Sequence, residues 1–153
     1  MKELYIATDM EMIRLGERLG NKLRTGDLLF LFGDLGAGKT TLTKGIAAGL
    51  GVEEPVTSPT FQLKKTYYGE NIVLNHLDLY RLESPMELEI LEPDALLDEG
   101  VTVVEWGKLL KDRLQTDCLE IRITLETETG GRKVTMIPFG DRYCRLLEEL
   151  KLC

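Results

Sequence analysis

The stretch GDLGAGKTT at residues 33–41 sets three glycines and a lysine between an apolar run, DLLFLF at 27–32, and a run that reads as a helix, TTLTKGIAAGLG at 40–51. No other feature constrains the chain as much. An apolar run without polar alternation suits a strand covered on both faces. Gly33, Gly38, Lys39 and Thr40 satisfy the pattern GxxxxGK[ST], and a strand before it with a helix after it is the context that makes the pattern a P-loop. Glycines permit backbone angles that a β-carbon forbids, so successive N–H groups can turn inward around a polyphosphate. The helix N-terminus, equivalent to about half a positive charge, points at the same anion. In this reading Lys39 reaches the β- and γ-phosphates, Thr40 offers its hydroxyl to Mg²⁺, and Thr41 bonds on the α-phosphate side. The plainer alternative is a glycine-rich turn before a helix, which needs neither Lys39 nor Thr40.

Composition narrows the setting. A chain of 153 residues fits one domain, 1–153, with one sizeable core. The formal net charge of -7 argues against a standing basic face for nucleic acid, because such affinity comes mostly from Lys and Arg displacing counterions. RNA contact would need a partner, and neither DNA nor a membrane is expected. Cys118, Cys144 and Cys153 form no CxxC pair, and a lone His76 does not complete a zinc site at such spacings. A reduced, cytoplasmic setting is the expectation. The apolar run LLFLF at 28–32 is far too short to cross a bilayer.

Along the chain, ELYIA reads as a strand, and Thr8 with Glu11 has the spacing of a reciprocal helix cap. Met12, Leu15, Leu19 and Leu23 recur at helical spacing and form one apolar stripe. Residues 51–60, GVEEPVTSPT, read as a loop. FQLKKTYY and IVLNHLDLY, separated by GEN, resemble a hairpin whose second arm sets Ile72, Leu74, His76, Asp78 and Tyr80 on one face. A helical region is expected over 85–98, a buried strand at VTVVEW, a helix at KLLKDRL, then a second hairpin and a closing helix. Strands interleaved with helices, plus two hairpins, imply an α/β fold with a mixed parallel and antiparallel sheet flanked by helices.

Neither an NKxD box nor a DxxG turn is present, which disfavours GTP. Hydrolysis needs an acidic group near the metal and something to orient water. Glu105 closes the strand VTVVEW, and Asp78 in HLDLYRL is the rival carboxylate. The sequence leaves open which binds the metal and which prepares water. Thr57, Ser58 and Thr60 in TSPTF are either γ-phosphate or metal sensors, as in a switch loop, or ordinary turn residues. His76 reads as a partly buried strand residue rather than a base. Arg81 is a further group able to meet phosphoryl charge, or a solvated arginine. Trp106 is expected to alternate away from Glu105 onto the opposite face and to pack there, or else to make an exposed contact with a partner.

Taken in order, GDLGAGKTT, TSPTF, HLDLYRL and VEWGKLL resemble the TsaE family, small bacterial ATPases needed for threonylcarbamoyladenosine in tRNA. The resemblance covers nearly the whole chain. It implies a P-loop fold with a mixed sheet, weak Mg²⁺-dependent ATP hydrolysis, and action in a complex with the transferase TsaD and its paralogue TsaB, which would handle the tRNA. By motif, Gly36, Ala37, Gly38, Lys39, Thr40 and Thr41 would cradle phosphates, Thr40 and Glu105 would bind Mg²⁺, and Asp78 would support hydrolysis. Thr8 and Arg132 match positions that the family places beside the adenine. The competing functions are a small-molecule kinase, which needs an acceptor site and an arginine-bearing lid, and a nucleotide-sensing adaptor without turnover.

Overall fold

The apolar run ahead of the glycine loop lies in the middle of a seven-stranded sheet, whose order in space is given below. The computed structural model describes residues 1–34, 36–59 and 63–150. In chain order the elements are β1 (Lys2–Ile6), α1 (Asp9–Lys22), β2 (Leu28–Phe32), α2 (Lys39–Gly49), β3 (Lys64–Tyr68), β4 (Val73–Asp78), a 3-10 segment (Pro85–Leu91), α3 (Pro93–Glu99), β5 (Val101–Glu105), α4 (Lys108–Leu114), β6 (Cys118–Leu125), β7 (Arg132–Phe139) and α5 (Asp141–Leu150). The strand order is β1-β7-β6-β2-β5-β4-β3. β2 pairs in parallel with β5 and β6, and β4 with β5, while the β3–β4 and β6–β7 hairpins and the β1–β7 pair are antiparallel. The mixed sheet is the one expected.

Burial follows the alternation of each strand. Leu29 and Leu31 of β2, with Val101 and Val103 of β5, join α1, α2 and α5 in one core. Leu28 and Phe30 point the other way, with Val104, onto the 3-10 segment, α3 and α4. Cover on both faces is therefore why DLLFLF lacks polar alternation. Because β2, β4 and β5 run parallel, their carboxyl ends open on one edge, and ligand sites in such sheets form there.

Two local readings are corrected. The helical region over 85–98 is two pieces: Glu92 stands at φ 50 between them and Pro93 opens α3. Proline lacks the N–H that would continue the first piece and disfavours a helical residue before it. At the start of α1 the Thr8 hydroxyl accepts from Glu11 N at 3.1 Å, as a cap should, but the Glu11 carboxylate accepts from Ala7 N at 2.8 Å rather than from Thr8.

α1 and α2 pack in parallel, backbone against backbone. A β-carbon on Gly16 would stand 2.5 Å from Leu42 O, and β-carbons on Gly20, Gly45 and Gly49 would run into Ile46 O, Ile13 O and Glu17 O. This close approach brings both helix N-termini to the site edge: Met12 lies against Gly38, and Asp9 enters the cavity described below. Gly45→Val is expected to destabilise the fold by about 3 kcal/mol or more, because rigid backbone opposes the added group. Urea unfolding monitored by circular dichroism measures this.

Candidate nucleotide site

Above the carboxyl ends of β2, β4 and β5 lies a cavity of about 290 Å³. Of the residues singled out from sequence, Gly36, Gly38, Lys39, Thr40, Thr41, Ser58, Asp78, Glu105 and Arg132 line it. Gly33 and Ala37 face a neighbouring depression under the loop instead. Thr8 caps α1 beside Asp9, which does line the cavity. Thr57 is exposed and its backbone N–H donates to the Tyr67 hydroxyl at 3.2 Å. Thr60 lies outside the described residues.

The loop has the backbone its sequence requires. Gly36 and Gly38 stand at φ 80 and φ 114, angles that strain any residue with a β-carbon. Gly38 forms the N-cap of α2 with no side-chain cap, so the first N–H groups of that helix face the cavity edge without a side-chain acceptor. Arg132, at the start of β7, donates from Nε to Ala37 O at 2.8 Å, and from Nη2 to Gly36 O at 3.4 Å. The Ala37 C=O and the Gly38 N–H belong to one trans peptide and point opposite ways, so the arginine that holds the carbonyl also fixes the direction of that N–H.

Lys39 is 5% exposed. Its Nζ donates to Gly33 O at 2.7 Å and lies 3.7 Å from the centre of the Trp106 ring. Burial pushes the ammonium pKa below its ordinary value, against the pull of Glu105, Asp78 and Asp34. Trp106 therefore does not pack on the opposite side, contrary to the sequence expectation. The strand ends at Glu105, and Trp106 takes φ 56, which breaks the two-residue period and swings the ring over the lysine. Tyr80 meets that ring edge-on, with centroids 4.9 Å apart. Trp106 and Asp9 are the site residues that sequence reasoning missed. No periodicity signals a left-handed residue at a strand end, and Asp9 is placed by the helix pairing.

The two carboxylates are neighbours, since Asp78 and Glu105 are register partners across β4 and β5. Asp78 accepts from the Ser58 hydroxyl at 3.1 Å and from Tyr80 N at 3.1 Å, which joins the TSPTF loop to the site. Glu105, 3% exposed, meets His76 Nε2 at 2.6 Å. His76 is wholly buried rather than partly so, and its Nδ1 has no hydrogen-bond partner, an arrangement that costs about 1–3 kcal/mol.

The donor set is made of hard oxygens: the Thr40 hydroxyl and the two carboxylates. Among the described residues no group of three or more His, Cys, Asp or Glu side chains is gathered to hold a metal alone. That suits Mg²⁺, which binds through one or two protein oxygens plus water and substrate phosphates, and not a metal that needs a full protein cage. Among the described residues no helix is long and apolar enough to cross a membrane.

A mixed α/β sheet thus carries a glycine loop, a buried lysine and two neighbouring carboxylates at the ends of its parallel strands. The chain belongs to the TsaE family: the sequence model described as "Threonylcarbamoyl adenosine biosynthesis protein TsaE" matches residues 6–134. Among relatives, the tRNA threonylcarbamoyladenosine biosynthesis protein TsaE of Streptomyces coelicolor is 44% identical over 138 residues, 86% of this chain and 93% of that one. The protein so named in Bacillus subtilis is 43% identical over 132 residues, 83% of this chain and 79% of its own. The crystal structure of Bacillus subtilis YdiB superposes with a TM-score of 0.83 at 34% identity, covering 97% of this chain and 93% of that one.

Proposed function

We propose that this chain is a P-loop ATPase that binds ATP with Mg²⁺, hydrolyses it slowly, and serves threonylcarbamoyladenosine formation on tRNA through TsaD and TsaB. The observation that carries the reading is the meeting of Lys39 and Thr40, at the start of α2, with Asp78 and Glu105 across one cavity. Family membership supports the pathway, because the relatives carry it in their names.

The residues divide the work. Gly36 and Gly38 leave room for phosphate oxygens, and the Gly38 and Lys39 N–H groups with the α2 dipole meet their charge. Lys39, already desolvated, moves from Gly33 O to the β- and γ-phosphate side. Thr40 and Glu105 would hold Mg²⁺, which when bound neutralises charge developing between the β- and γ-phosphates. Asp78 orients water, and its bond to Ser58 carries the state of the site into the TSPTF loop. Thr8 and Arg132 flank the end where the base would lie, at the α1 start and the β7 start. A partner that binds the loop differently in the ATP and ADP states would then be engaged and released in turn.

The kinase reading finds less support, since β5 and β6 are joined only by the seven-residue α4 and short turns, which leaves no room between those strands for a lid-sized insertion. An adaptor without turnover would leave the Asp78–Glu105 pair unused. Phosphate release tests the three: slow release with no added acceptor, changed by TsaD and TsaB together, is expected. Dependence on an acceptor would favour a kinase, and no release under any condition an adaptor.

The single tryptophan gives a direct readout of binding. Because the Lys39 ammonium must leave the Trp106 ring to reach phosphate, ATP is expected to change Trp106 fluorescence saturably. Lys39→Ala should remove most of that change. Trp106→Ala should alter ATP affinity by about fivefold to thirtyfold, the range expected for losing one desolvated cation–π contact of about 1–2 kcal/mol.

A further inference from the structure

We infer that His76 is a positioning residue for Glu105, holding Oε2 of the carboxylate so that Oε1 alone is offered to the cavity. The inference rests on Glu105 acting at the metal, as proposed above. His76 sits in β4 opposite Val103 of β5, and its ring reaches two residues further to Glu105 Oε2 at 2.6 Å. Around it the same face is apolar, with Leu74 and Val103 in the core that α1 and α2 cover. A leucine there would fill the space and leave no orphaned nitrogen, whereas His76 leaves Nδ1 without a partner. The ring nitrogen that is satisfied is the one that touches the site.

With the proton on Nε2, His76 donates to Oε2 and fixes the rotation of the carboxylate. A ligand oxygen held in this way from the core is preorganised, and outer partners of this kind commonly set metal affinity. The two carboxylates are thus steadied from different sides: Asp78 by Ser58 of the TSPTF loop, Glu105 by the sheet interior.

The test compares His76→Gln, whose amide nitrogen falls near the place of Nε2, with His76→Asn, whose amide falls short of Glu105. The probe is Mn²⁺ titrated by electron paramagnetic resonance in the presence of a non-hydrolysable ATP analogue, with analogue binding in EDTA measured beside it. His76→Asn is expected to weaken Mn²⁺ binding by about ten- to a hundredfold, while His76→Gln stays within about threefold of the parent and metal-free analogue binding does not change for either. Equal Mn²⁺ affinity in the two variants overturns the inference. Glu105→Gln separates the levels: if it weakens Mn²⁺ binding and His76→Asn does not, only the role of His76 falls, and if it has no effect, the placing of Glu105 at the metal falls with it.

Discussion

Replacing Lys39 with alanine is expected to weaken ATP binding by at least about a hundredfold and to take turnover below detection. The side chain is buried, its ammonium is already stripped of most water, and its present partners are a carbonyl and a ring. Exchanging these for two phosphate oxygens gains charge-assisted hydrogen bonds of about 1.5–3 kcal/mol each, which sets the size of the loss. Lys39→Arg should not restore binding, because a planar guanidinium cannot occupy the slot between Gly33 and Trp106 as a point charge does. The pH dependence follows from the direction of the shift. Burial lowers the Lys39 pKa in the free chain, and bound phosphate raises it again. Affinity is therefore full while free Lys39 is charged, and falls as pH rises through its lowered pKa. Titration calorimetry of Mg-ATP at stepped pH checks both statements; affinity that Lys39→Ala leaves untouched would refute the phosphate role.

The second large effect is on turnover alone. Glu105→Gln should cut phosphate release by about a hundred- to a thousandfold, while ATP binding without Mg²⁺ holds steady or improves, since a negative charge facing the phosphates has gone. The pattern distinguishes a group used at the metal from one used in binding. A structural role predicts something else. Glu105 is buried against His76 and near Lys39, so a purely structural residue would show its loss as a lower melting temperature with turnover kept in the folded fraction. Single-turnover phosphate release, with thermal unfolding measured on the same samples, separates the two.

Much of this was legible in the sequence because the signals are local. The doubly covered strand, the glycine loop and the helix after it follow from a few adjacent residues, and β2 and α2 lie where those residues put them. The hairpins were readable from alternation and turn residues, and β4 carries His76 and Asp78 on one face as the period demands. The break at Glu92 was signalled by Pro93. What escaped depends on contacts distant in sequence or on a single backbone angle. Trp106 changes sides because one residue after a strand adopts a left-handed angle, made possible by Gly107, where any β-carbon would strike Phe30 and Val104. Asp9 reaches the cavity because four glycines let α1 lie directly on α2. The hold of Arg132 on Ala37 O spans 95 residues, and no local pattern announces it.

Whether the glycine loop cradles phosphate is tested most directly by a crystal structure of the chain with Mg²⁺ and a non-hydrolysable ATP analogue. The β- and γ-phosphate oxygens are expected at about 3 Å from the Gly38 and Lys39 N–H groups, with Lys39 Nζ drawn off Gly33 O and onto phosphate. Nucleotide bound elsewhere on the sheet, with Lys39 still on Gly33 O and the glycine cradle filled by nothing but solvent, would contradict that expectation.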